Sequence, residues 1–286
     1  MQPIDDGYFP RGTSVLRRVH GSRAVGVLYG QRALLMQATH PVAFAGLMAN
    51  TKGLDAPFQR LARTARTMER VFFGSRTEAE AVTAHVRGMH ARVRGTLDRP
   101  AGPHPAGSAY SAEAPDLLLW ILACLADSSL AVYEQLVRRL DGDERERFWS
   151  DYLVLGELFG LDPADAPADY SEMRAYMEGR LASDELHVVE PAHEIGRKVA
   201  FEMPLPPHRE PALRFINFLV VGLVPARVRA LYDIPWDPAR QAAFEALSRS
   251  LRLSARITPA SLRRGPSARE YEVVARAERE RLRRAA

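Results

Sequence analysis

Three places in this chain carry residue types and spacings that could do chemistry. The first is RLARTARTMERVFFGS, residues 60–75, where four arginines and two threonines sit among small and apolar residues and no acid precedes Glu69. Helical steps of three and four put Arg60, Arg63, Thr64 and Thr67 on one face. Donors gathered without carboxylates imply an anion or polar reaction centre supplied from elsewhere; the plainer reading is an amphipathic helix whose arginine stems cover apolar surface. The second is His90 in GMHARVRG, with Arg87 three residues before it and Arg94 four after. An imidazole on the core-facing side of a helix can ligate iron through one nitrogen while an acceptor holds the other, or it can be a core histidine bonded to backbone. The third is His40 in LLMQATHPVAFAG, where the following proline favours an extended or turn conformation and so a structural role.

Other chemistries drop out. The chain has no G-x-S-x-G elbow, no G-x-G-x-x-G turn and no Walker loop. HEIGR at 193–197 starts like a metalloprotease motif, but Arg197 stands where the second zinc-binding histidine belongs. The carboxylates of DGDERERFWSD are interleaved with arginines and read as a solvated helix start. Cys124 is the only cysteine, which rules out an internal disulfide and a thiolate metal cluster. The net charge of +4 over 286 residues lacks a dense basic patch, so no nucleic-acid partner is expected. The first residues show neither a basic n-region nor an apolar h-region. The longest apolar run, FINFLVVGLVPA at 215–226, is shorter than the roughly 20 residues a bilayer span needs. A cytoplasmic protein without a transmembrane segment is the expectation.

The elements that must position these residues are helices. Apolar residues recur at helical spacing through most of the chain, with no convincing strand alternation. The periodicity predicts helices over 12–30, 31–49 (interrupted near His40–Pro41), 57–70, 76–97, 143–160, 169–182 and 211–231. A central buried one starts at Pro115, and a charged terminal helix spans 267–284. On the 76–97 helix, Val82, Val86, Met89, Val93 and Leu97 form the apolar stripe. The fold class is all-α. The chain divides into an N-terminal arm (1–14), one helical domain (15–240) and a C-terminal helical extension (241–286).

Six segments occur in an order that carries a resemblance: LLMQATHPVAFAGLMANT, DAPFQRLARTARTMERVFFGS, MHARVRG, YSAEAPDLLLWILACLADSSLAVYEQL, LFGLDPADAPADYSEMRAYM and GLVPARVRALYDIPW. Over about residues 15–240 the chain resembles the family of latex clearing protein, the bacterial rubber oxygenase, and the fungal MpaB-type oxygenases. The resemblance implies a globin-like helical bundle holding one haem b, with His90 as the axial metal ligand and Arg60, Thr64 and Arg94 near the cofactor. Arg63 stands where rubber oxygenases carry a lysine, and an arginine does not deprotonate to ligate iron. Two positions depart from the pattern: Leu122 replaces a histidine common among relatives, and Phe44 lies near the place of the acid assigned as base in rubber cleavage. The expected activity is a haem-dependent oxygenase that binds dioxygen at histidine-ligated iron, with Arg63 and Thr64 as catalytic donors, an unidentified reductant and a hydrophobic, unsaturated small-molecule substrate entering between helices near 31–49 and 117–131. Two other readings stand beside it: a non-catalytic haem or gas sensor, and a haem-free helical binder of hydrophobic small molecules.

Overall fold

The computed structural model describes residues 7–49, 56–203 and 207–263, together with 265, 280 and 283. At its centre α2 (Arg23–Gln37) packs along α6 (Pro115–Leu136). α6 is buried nearly all round, from Leu117 and Trp120 through Leu136. Its apolar side chains need no partner there, but Asp127, Ser128 and Ser129 are buried too and must be satisfied internally. Arg32 of α2 supplies two of those bonds, Nη2 to Asp127 Oδ2 at 2.7 Å and Nη1 to Ser128 Oγ at 2.7 Å, while its Nε donates to the Leu223 carbonyl at 2.8 Å. Ser129 donates to the Ala126 carbonyl and pairs with the Tyr152 hydroxyl at 3.0 Å. One arginine thus joins α2, α6 and the C-terminus of α10 (Glu210–Leu223).

Around that pair stand α1 (Val15–His20), α7 (Gly142–Phe159), α9 (Glu190–Phe201), α10 and α12 (Pro238–Ile257), with α8 (Tyr170–Ala182) against α7. α3 (Pro41–Ala49) follows α2 after the turn at His40, and α11 (Ala226–Leu231) follows α10. The single helix expected over 211–231 is therefore two, because Pro225 lacks the N–H that would continue the ladder. α9 was not expected. The charged helix expected over 267–284 lies outside the described residues.

α4 (Pro57–Phe73) and α5 (Arg76–His90) pack together across a two-residue connection, Gly74–Ser75, as a helical hairpin. Ser75 caps α5: its hydroxyl accepts from Glu78 N–H, and the Glu78 carboxylate accepts from Ser75 N–H. The helix expected to reach residue 97 stops at His90. Arg92 and Val93 N–H groups bond back to the carbonyls of Met89 and His90, and the chain turns into β1 (Arg94–Thr96), antiparallel to β2 (Ala109–Ser111) with Gly95 opposite Tyr110. A Cβ at position 95 would come within 2.6 Å of the Tyr110 hydroxyl, so the ring needs glycine beneath it. Leu97, last of the expected stripe, buries instead with Val42, Ala101 and Leu117 in a small second core. This two-stranded sheet breaks an otherwise all-α fold among the described residues.

α6 is long and apolar enough to cross a membrane by length and composition, and most of its apolar window is buried inside the protein.

Candidate functional site

α4 turns Phe58, Ala62, Ala65, Met68, Val71 and Phe72 inward, and that apolar side holds the helix to α1, α5 and α9. Arg63 and Thr64 fall on the exposed side, while Arg60 and Thr67 are half-buried at its edge. Burial pushes the Arg60 guanidinium below its ordinary range, and the like charge of Arg63 adds to that push.

His90 closes α5 at the opposite end from the Gly74–Ser75 turn. At a rise of about 1.5 Å per residue, Arg60 and His90 each lie roughly 20 Å from that turn along their own helices. The His90 Nδ1 is buried with no hydrogen-bond partner, so this is not a core histidine bonded to backbone through that nitrogen. Burial lowers its pKa from 6.5, and the Glu113 carboxylate in the loop after β2 partly opposes that shift. The ring is therefore neutral at physiological pH, the form in which imidazole ligates a metal. Glu113 lies inside a segment quoted above, but no periodicity marks an acid that approaches His90 only through the β-hairpin.

Arg94 is not one helical turn beyond His90. It sits in β1, exposed, and its Nη2 and Nε donate to the Ala91 carbonyl at 2.7 and 3.2 Å. Its side chain caps the end of α5 in this conformation. His40 is almost wholly buried between α2 and α3, its ring centroid 5.7 Å from His104 and 6.4 Å from Trp120. Its Nδ1 has no partner, and burial, aided by Arg180 and His104, pushes its pKa down to about 4. His104 also keeps a buried nitrogen, Nε2, unpartnered. The sequence offered no reason to pair these two histidines, 64 positions apart.

Phe44 is buried beside Ala38 and Ala192, and Leu122 is buried against Gly156, where a Cβ would come within 2.9 Å of a Leu122 methyl. Neither position offers a proton-transfer group. The seam between α2 and the 117–131 segment, on the expected substrate route, is closed by close packing and by the Arg32 bonds to Asp127 and Ser128.

Among the described residues no three His, Cys, Asp or Glu side chains gather as a metal cage. The donor set instead suits a metal that arrives with its own equatorial ligands: a porphyrin brings four nitrogens and asks the protein for one imidazole, with cations for its two propionates. A neutral His90 with a partnerless buried nitrogen fits the need for an imidazole, and Arg60 and Arg63 on the neighbouring helix are cations of the kind the propionates need.

Comparison with known proteins bears on the family and not on the cofactor. The family described as "ER-bound oxygenase mpaB/B'/Rubber oxygenase, catalytic domain" matches residues 17–253. Two uncharacterized proteins, from Mycobacterium bovis and Mycobacterium tuberculosis, are each 28% identical over 204 residues, covering 71% of this chain and 76% of theirs. No solved structure matches.

Proposed function

Since the chain belongs to the MpaB and rubber-oxygenase catalytic-domain family, and is thereby an oxygenase-type domain, we propose that it is a haem b-dependent oxygenase of a hydrophobic, unsaturated small molecule, with His90 as the axial ligand. The observation that carries this reading is the neutral imidazole of His90, with a partnerless buried nitrogen, at the end of α5. When bound, haem supplies the iron at which dioxygen is activated.

The chain's own residues divide the remaining work. His90 would hold the metal from the end of α5, and its lowered pKa keeps the proton off the ring at neutral pH. Arg60, a half-buried cation, would answer a propionate, while the exposed Arg63 beside it would serve with Thr64 as a hydrogen-bond donor. Thr64, next to Arg63 on the exposed side of α4, would supply a hydroxyl donor to the reacting group. Arg63 cannot give up its proton at any working pH, so it acts as a fixed charge and not as a base.

The test is optical. Purified protein reconstituted with haem b is expected to show a Soret band and a reduced-minus-oxidised difference spectrum that His90→Ala abolishes or shifts. An identical spectrum in His90→Ala refutes the ligand assignment. Oxygen uptake on adding unsaturated terpenoids or fatty compounds to the reduced protein separates an oxygenase from a sensor that binds and does not turn over.

A further inference from the structure

The HEIGR stretch that fails as a zinc motif delivers Arg197 to a second place. A recess of 230 Å³ opens between α9, α10, the 232–236 turn and the start of α12. Its floor is aromatic: the Phe218 and Trp236 rings lie 5.4 Å apart, tilted by 35°, with Phe201 and Val221 beside them. The Arg229 guanidinium sits 5.1 Å from the Trp236 ring centroid and adds positive potential to that wall.

Arg197 lines the recess, half-buried, and its Nη1 donates to the Tyr232 carbonyl at 3.3 Å. Among the described residues no carboxylate pairs with it, whereas Arg240 at the rim is already engaged by Asp237 at 3.4 Å. Asn217 lines the same recess with Nδ2 committed to the Phe201 carbonyl at 2.9 Å and Oδ1 buried without a partner. An apolar floor with one half-buried guanidinium that no carboxylate pairs makes up a recess suited to a small anion with a hydrocarbon part; the buried Asn217 Oδ1, an acceptor, plays no part in holding it.

We propose that this recess binds a small apolar carboxylate, an aryl or short acyl acid, with its hydrocarbon on Phe218 and Trp236 and its carboxylate on Arg197. The guanidinium favours a carboxylate over a neutral amide of the same shape, because only the acid forms charge-assisted hydrogen bonds to it. The volume, below the roughly 300 Å³ of ordinary ligand pockets, limits the ligand to a single ring or a short chain. The residues involved come from α9, α10 and α12 and not from α4 or α5, so the site stands apart from the cofactor reading.

Trp236 reports on the site directly. Trp120 and Trp149 are fully buried, so Trp236 is the tryptophan a ligand reaches. The full chain, with and without added haem, is titrated with phenylacetate and hexanoate, then with phenylacetamide and hexanamide. The acids are expected to shift tryptophan emission saturably, and the amides to bind about tenfold more weakly or worse. Arg197→Gln is expected to bring the acids down to the affinity of the amides while leaving the amides unchanged. Equal affinity for acid and amide, unchanged acid affinity in Arg197→Gln, or no saturable response to either acid overturns the proposal. Should Arg197→Gln fail to fold, the acid–amide comparison on the unaltered chain decides.

Discussion

At the scale of single residues, charge and burial pull in opposite directions, and the outcome assigns roles. Asp127 is buried and pairs with two arginines, Arg32 at 2.7 Å and Arg174 at 3.1 Å. Arg32 is only 4% exposed in its side chain, so removing the carboxylate strands a guanidinium inside α2 and α6. Asp127→Ala is expected to cost about 3–5 kcal/mol, read as a lower denaturation midpoint. Arg63 and Thr64 are exposed, so Arg63→Gln and Thr64→Val should leave the fold and the His90-dependent spectrum in place. On the proposed function they lower substrate-dependent oxygen uptake by about 10- to 100-fold, as loss of a positioned donor does. Full uptake in both variants removes them from the mechanism.

At the scale of elements, the α4–α5 hairpin is the device that sets the candidate site, and its turn is chemically specified. Gly74 ends α4 where a Cβ would come within 2.4 Å of the Arg70 carbonyl oxygen, and Ser75 with Glu78 caps α5. Ser75→Ala removes the hydroxyl bond to the Glu78 N–H and is expected to destabilise the protein by about 1 kcal/mol. The loss should appear as faster amide exchange in the first turn of α5, with exchange in α6 rising no more than global stability requires. The other end of α5 is held by different means: Arg94 folds back onto the Ala91 carbonyl, and the β1–β2 pairing carries the chain away.

At the scale of the whole molecule, buried neutral histidines make stability depend on acid. His20 is enclosed by Phe72, Tyr29 and Tyr152, stacks on Phe72 at 4.2 Å and bonds the Tyr152 hydroxyl at 2.8 Å. Burial pushes its pKa down to about 3, and that of His40 to about 4. In the unfolded chain both titrate near 6.5, so between that value and about 3–4 the unfolded state binds protons that the folded state does not. Their contribution is fully present above about pH 6.5 and is lost as pH falls through the folded values. Urea midpoints measured from pH 7.5 to 4.5 are expected to fall steeply below pH 6.5. His20→Gln should flatten that fall by about one proton's worth of slope. An unchanged slope shows that His20 protonates freely in the folded protein.

Much of this was legible without coordinates. Helical periodicity marked α6 as a central buried helix, Pro57 marked the start of α4, and the order of six short segments pointed to the family that the match over 17–253 bears out. Those are local signals, carried by residues within a few positions of one another, and a chain expresses them whatever it later packs against. The end of α5 was not legible, because the apolar stripe through Val93 and Leu97 continues at helical spacing; Leu97 leaves it only because Val42, Ala101 and Leu117 offer a better burial elsewhere. Nor could spacing reveal Glu113 beside His90, His104 beside His40, or Arg197 over an aromatic floor. Sequence alone determined which residues are able to ligate, donate or bury. Packing of distant segments decided which of them meet, since burial free energy depends on the whole surface a side chain finds and not on its neighbours in the chain.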